Sequence, residues 1–106
     1  MAKYLYQITY TQAGLQEVLR EGGSKQREIV ETTIRSLNGW LEAIYFSFGE
    51  VDMFVVAELP DHVSASAFSM IVSSGGAEKV KTTVLISLEE IDLAAKKTID
   101  YHPRLS

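Results

Sequence analysis

The sequence predicts an α+β domain of the ferredoxin-like type, in which helices cover one face of a four-stranded antiparallel sheet. The chain has 106 residues, the length of one small domain. Stretches of strand-like alternation and of helical periodicity follow one another in the order β-α-β-β-α-β. Glycine and proline residues separate these stretches, and a short helical stretch follows the last strand. We therefore predict one domain over residues 1–106, with a loop tail over 98–106.

The first strand and the first helix are predicted within residues 3–20. From Lys3 to Tyr10, tyrosines and an isoleucine alternate with other side chains, which indicates a strand. Thr11 stands where an N-cap is expected, and the helix should run to Arg20 and end at Gly22-Gly23. We expect this helix to turn three apolar side chains inward: Leu15, Val18 and Leu19.

A second helical stretch follows with Ser24 as its predicted N-cap. Gly39 stands just past its expected end, where glycine is favoured. Four apolar residues recur at roughly the helical period and should form its buried side: Ile29, Val30, Ile34 and Leu37.

The middle of the chain predicts a hairpin with two apolar faces. Trp40–Phe48 and Val51–Leu59 should be strands joined at Gly49-Glu50 by a two-residue type II′ turn. One face then carries Ile44, Phe46, Met53 and Val55, and the other carries Ala43, Tyr45, Phe54 and Val56. Since helices cover one face, we expect the other to pack on a second copy. This predicts a homodimer through the sheet faces that buries on the order of 1,600 Å².

The last third of the chain should form a helix, a strand and a short final helix. Asp61 is the predicted N-cap of the first of these helices, which Gly75-Gly76 ends. Its inner stripe should be Val63, Ala67, Met70 and Ile71. Glu78–Ser87 is the fourth strand, and Ser87 to Glu90 has the form of a capping box. The final helix should turn Leu88, Ile91 and Ala95 inward.

The composition indicates a folded protein with a small negative charge. It is 46% hydrophobic, has a formal net charge of −4 and contains no cysteine. Nucleic-acid binding needs clustered Lys and Arg, so we expect no nucleic-acid partner. Two isolated histidines without cysteine predict no metal site and no cofactor. The sequence has no signal-peptide core and no stretch of roughly 20 apolar residues, which predicts a cytoplasmic protein without a membrane partner.

Asp52 and His62 are the candidate catalytic residues. Asp52 directly precedes a run of large apolar residues. It is a solvated residue, an acid or base in a pocket, or a structural acceptor of hydrogen bonds from the Gly49-Glu50 turn or from the hydroxyls of Ser47 or Tyr45. His62 follows the Asp61 cap and is either a ligand or general base, or a partly exposed residue of the first helical turn.

Aromatic residues of the predicted strands offer a candidate ligand site. Tyrosines beneath helices give an apolar cavity a few polar tips, which is the usual character of a small-ligand pocket. The other interpretation is a filled core and a dimer interface. The candidate ligand-binding residues are Tyr6, Tyr10, Trp40, Tyr45 and Asp52.

Three stretches resemble the GYD domain family and, with the spacing between them, cover most of residues 3–91: YLYQITYTQAGL, YFSFGEVDMFVVAELPD and VKTTVLISLEEI. The family motif, Gly-x-Tyr-Asp, appears here as Gly49-Glu50-Val51-Asp52, with Val51 in place of the tyrosine. The resemblance implies a dimeric α/β barrel more than it implies a reaction.

Three functions remain open at this point. The first is a small homodimeric α/β-barrel protein that binds a small apolar or aromatic ligand between sheet and helices. The second is a cofactor-free enzyme, monooxygenase- or isomerase-like, acting on a small aromatic molecule. The third is a ligand-sensing interaction module.

Overall fold

The protein has the predicted ferredoxin-like architecture. The computed structural model describes residues 1–98. Its elements are β1 (Ala2–Tyr10), α1 (Gln12–Glu21), α2 (Gly23–Ser36), β2 (Trp40–Phe46), β3 (Met53–Leu59), α3 (His62–Ser74), β4 (Ala77–Leu85) and α4 (Leu88–Ala95). The strands form one antiparallel sheet in the order β2-β3-β1-β4. Residues 99–106 of the predicted tail, including His102, lie outside the described residues.

The core lies between one face of the sheet and the helices α2 and α3. In β1, the side chains of Tyr4, Tyr6 and Ile8 point into it, because successive strand residues face opposite sides. Their neighbours across β3 are Ala57, Val55 and Met53. The helices complete the core with four buried residues: Val30, Ile34, Ala65 and Phe68.

Three of the four predicted helix caps are confirmed. Thr11, Asp61 and Ser87 each accept a hydrogen bond from a main-chain N–H of the first helical turn, and Ser87 forms the full capping box with Glu90. The Ser24 cap is wrong, because α2 already begins at Gly23. Gly22, at φ 85°, ends α1 and starts α2 in a single residue, in a conformation that favours glycine.

The hairpin has the predicted register but not the predicted turn. Tyr45 pairs with Phe54, and Phe46 pairs with Met53. A type II′ turn needs a positive φ at Gly49, whereas the positive φ of 54° belongs to Phe48. The strands also stop at Phe46 and resume at Met53, so the connection is a longer loop.

The α3 helix is rotated relative to the prediction. Ala65 and Phe68 are buried, whereas Val63 and Met70 are 79% and 71% exposed. The apolar residues of α3 itself are spread around its circumference, so the periodicity of the sequence does not show which side is buried. Phe68 fixes it, because its ring packs edge-on against Tyr6 with centroids 4.7 Å apart. The α1 helix shows the same kind of error, since Leu19 is 86% exposed.

The inward side predicted for α4 is wrong as well. None of the residues of α4 is buried, and Leu88, Ile91 and Leu93 are exposed. The molecule measures 58 × 31 × 21 Å, with a radius of gyration of 17.1 Å. A chain of this length is expected to have a radius of about 13 Å. The described part of the chain is therefore elongated, and α4 lacks the packing that buries α2 and α3.

Candidate functional site

A cavity of about 170 Å³ lies between α2, α3 and the covered face of the sheet. Most of its lining is apolar, and three side chains give it polar tips: Tyr10, Gln26 and Thr33. The other lining residues are Ile29, Val30, Met53, Phe68, Ile71, Val72, Gly75 and Ala77. An apolar recess with a few polar groups is the usual form of a small-ligand site.

Tyr10, at the end of β1, supplies the phenol of this cavity. Its hydroxyl lies 3.5 Å from the sulfur of Met53, the weak acceptor to which it donates. Burial and the nearby Asp52 carboxylate raise the pKa of Tyr10. Since a raised pKa keeps a phenol protonated at neutral pH, Tyr10 offers a ligand a hydrogen-bond donor and not a base.

Asp52 holds the main chain of this tyrosine. Its carboxylate accepts a hydrogen bond of 2.8 Å from the main-chain N–H of Tyr10, and the residue is only 9% exposed. Its own N–H donates to the carbonyl of Ile8. Asp52 therefore ties the loop before β3 to the end of β1, where β1 and β4 shift register. It does not line the cavity, and neither Ser47 nor Tyr45 supplies its donor.

The hairpin loop beside Asp52 is held through its main chain. The carbonyl of Val51 accepts hydrogen bonds from the Ser47 hydroxyl, at 2.8 Å, and from the Gly49 N–H, at 3.2 Å. Both bonds use the carbonyl of Val51 and not its side chain. The side chain of Val51 thus takes no part in these two hydrogen bonds.

His62 lies at the other end of the sheet. Its Nδ1 is 2.9 Å from the hydroxyl of Tyr4, and its ring is exposed. The strand β3 lies between Asp52 and His62, and its seven residues span roughly 20 Å. Within one chain these two residues do not meet at one small substrate.

The predicted ligand-binding residues do not lie together in one site. Tyr10 lines the cavity, whereas Tyr6 is fully buried and donates to the carbonyl of Ala65 at 2.9 Å. Trp40 and Tyr45 belong to the uncovered face of the sheet and are 61% and 70% exposed. The sequence analysis missed Gln26 and Thr33 because polar residues on a helix normally face water. Their position about one turn and about three turns into α2, on either side of Ile29 and Val30, was the available signal.

Two kinds of feature are absent from the described residues. Over residues 1–98, no group of three or more His, Asp or Glu side chains is arranged to hold a metal ion. Over the same residues, no helix is long and apolar enough to cross a membrane.

Comparisons with known proteins identify a family and a fold. The model of the GYD domain family matches residues 4–95. The protein TTHA0845 from Thermus thermophilus is similar in structure, with a TM-score of 0.52 and 15% identity over 82% of this chain and 95% of that chain. No curated protein sequence gives a significant match.

A transcriptional regulator is similar over part of its length. NMB0573 from Neisseria meningitidis, solved as a complex with L-Met, gives a TM-score of 0.51 and 14% identity over 82% of this chain. This chain spans about half of the regulator, since 51% of that protein is covered. At such identities the likeness shows a shared fold alone.

Proposed function

The chain belongs to the GYD domain family, and on that premise we propose that it binds a small uncharged ligand in the cavity between α2, α3 and the sheet. The observation that carries the proposal is the apolar lining around a half-buried phenol donor. The bound molecule would contact aliphatic side chains and accept a hydrogen bond from Tyr10.

The volume of this recess is enough for about one ring. At about 170 Å³, it is close to the engineered apolar cavity of roughly 150 Å³ that binds benzene in another protein. Drug-sized ligands occupy about 300–1,000 Å³. We therefore expect a single aromatic ring or a short aliphatic chain.

The chemistry of the lining selects a neutral ligand. Among the described lining residues, Tyr10 is the one titratable side chain. Its phenol is neutral at pH 7, since the usual pKa is already 10.0 and burial raises it further. A charged ligand would lose its hydration without finding a counter-ion. A neutral phenol or indole satisfies the Tyr10 donor while its ring fills the apolar part.

Thermal denaturation with and without phenol, toluene, indole and benzoate tests this proposal. Neutral ligands should raise the melting temperature in proportion to occupancy, and benzoate should not. Val72→Phe places a ring in the cavity and should abolish the shift. Val63→Phe, on the exposed side of the same helix, is the matched control and should keep it. Equal shifts in the two variants would refute binding at this cavity.

We also propose that the protein is a homodimer through its uncovered sheet face. Leu5, Phe54 and Val56 give this face an apolar centre, and Trp40 and Tyr45 stand exposed beside them. Light scattering at micromolar concentration should give twice the chain mass, and a single-chain mass would refute the dimer. A cytoplasmic location stays a prediction of the sequence.

A ligand-sensing module is the second candidate function. The likeness to about half of a regulator solved with L-Met favours it, because that fold there accompanies a small-molecule complex. A cofactor-free enzyme has less support, since none of the carboxylates or imidazoles within residues 1–98 lines the cavity. Turnover of a neutral aromatic ligand that is lost in Tyr10→Phe would reverse this order.

A further inference from the structure

We infer that this cavity selects a neutral hydroxyl compound, such as a phenol, because its lining pairs a hydrogen-bond donor, Tyr10, with an acceptor, Gln26. The inference rests on the proposed function, since it concerns the same cavity. It adds the functional group of the ligand and the residues that recognise this group.

The phenol of Tyr10 is the donor that a ligand would meet. Its hydroxyl donates to the sulfur of Met53 at 3.5 Å, and a thioether is only a weak acceptor. An oxygen atom of a ligand would therefore take this hydrogen bond in place of the sulfur. Thr33 does not act as a second donor, because its hydroxyl already donates to the carbonyl of Ile29 at 2.8 Å.

The amide of Gln26 is oriented by a hydrogen bond to Glu21. Its Nε2 lies 3.1 Å from Oε1 of that carboxylate. Because a carboxylate only accepts hydrogen bonds, the amide atom beside it is the nitrogen. The amide oxygen is then directed away from Glu21, which does not belong to the cavity lining. Gln26 thus offers the ligand an acceptor.

Tyr10 and Gln26 belong to the same end of the sheet. A Cβ atom at Gly23, where α2 begins, would lie 3.4 Å from the ring of Phe46. Phe46 pairs with Met53, whose sulfur accepts the hydrogen bond of Tyr10. Gln26 follows Gly23 by about one turn of α2. One small ligand in the cavity can therefore contact both polar groups.

A hydroxyl group satisfies both residues, since its oxygen accepts one hydrogen bond while its O–H donates another. An ether would accept from Tyr10 and leave the oxygen of Gln26 without a donor. A hydrocarbon would use neither group. The loss of one such hydrogen bond should weaken binding roughly two- to tenfold.

Ligand pairs of equal size test this selection by NMR titration. Phenol is compared with toluene, and anisole with ethylbenzene, so that each polar group is measured against a hydrocarbon of similar volume. Gln26→Leu should weaken phenol binding roughly two- to tenfold and leave anisole binding unchanged. Tyr10→Phe should weaken both phenol and anisole relative to their hydrocarbons. Gln16→Leu, which changes an exposed glutamine of α1, is the matched control and should change no dissociation constant.

Glu21→Ala tests the orientation of the amide without removing Gln26. The amide is then free to turn, so the preference for phenol over anisole should fall while toluene binding stays the same. If toluene still binds and Gln26→Leu weakens phenol no more than anisole, the hydroxyl selection is overturned and the proposed cavity stands. If none of the four ligands binds, the hydroxyl selection and the proposed function are both overturned.

Discussion

The two faces of the sheet are built from the same strands and differ in almost everything else. Tyr4, Tyr6 and Ile8 of β1 are buried beneath α2 and α3, whereas Lys3 and Leu5, their neighbours along the chain, face away from the helices. Both faces carry apolar residues, but only one has a helix layer. Local sequence thus gives two apolar surfaces, and the chain itself covers one of them.

An apolar pattern in the sequence therefore predicts that a sheet face is buried, but it does not predict which element or chain covers that face. On the covered face, the covering elements are α2 and α3 of the same chain. On the uncovered face, a central apolar patch is bordered by Lys3 and Glu58, as expected of a surface that meets a polar-rimmed partner. The predictions below compare the two faces, from the largest expected effect to the smallest.

Removing a core ring should have the largest effect. Phe68→Ala empties a fully buried site against Tyr6, and we expect a loss of about 3–5 kcal/mol in the free energy of unfolding. Met70→Ala, on the exposed side of the same helix, should change it by less than about 0.5 kcal/mol. Urea denaturation measures both. Similar losses would mean that the side of α3 carrying Met70 is also covered.

The second prediction concerns Asp52, whose carboxylate binds the main chain of Tyr10 at the end of β1. Asp52→Ala removes the acceptor of the Tyr10 N–H and should cost about 1–3 kcal/mol, whereas Asp52→Asn keeps an acceptor oxygen and should cost less. Glu50→Ala, in the exposed loop nearby, is the control. Unchanged stability in both Asp52 variants would refute its structural role. Loss of ligand binding at unchanged stability would make Asp52 a functional group.

Two tyrosine hydroxyls offer a finer comparison. Tyr6→Phe removes the hydrogen bond to the Ala65 carbonyl under the helices and should cost about 0.5–1.5 kcal/mol. Tyr45→Phe, on the uncovered face, should cost close to nothing in the folded chain. Chemical denaturation of both variants measures the difference. A larger cost for Tyr45→Phe would show that its hydroxyl is engaged in the assembled protein.

Alkaline pH should lower the stability of the protein, because phenols on the covered face of the sheet have raised pKa values. Burial raises the pKa of Tyr6, and burial with the Asp52 charge raises that of Tyr10, above the usual value of 10.0. The unfolded chain therefore releases these protons first, so stability is complete below about pH 10 and declines as the pH rises further. Denaturation between about pH 8 and 11.5 should show this decline, and it should be smaller in Tyr6→Phe. A flat profile would contradict the burial of these phenols.

Much of the fold followed from local patterns. The alternation in β1 depended on strand periodicity and is found. The pairing of Tyr45 with Phe54 was deduced from the place of the Gly49-Glu50 turn and is found as well, although the loop itself is longer. The caps at Thr11, Asp61 and Ser87 depended on side chains that reach only three residues along the chain. Local hydrogen bonds of this kind are visible in sequence because both partners lie within one turn.

Less of the candidate site could be predicted from the sequence, because its contacts join residues that are far apart in the chain. Asp52 was expected to accept a hydrogen bond near its own turn, and its donor is the N–H of Tyr10, 42 residues earlier. Gln26 and Thr33 enter the cavity only because α2 lies over the sheet beside α3. No spacing in the sequence relates these residues to one another.

The sequence by itself determined the order of the elements, most of their ends and the two apolar faces of the sheet, since these depend on residues close together in the chain. The tertiary structure decided which side of α3 is buried, where Asp52 finds its donor, and that α4 has no buried residue. Each of these depends on the position of one element relative to another. Such positions are set by the size and shape of side chains such as Phe68 in a close-packed interior, and periodicity does not encode them.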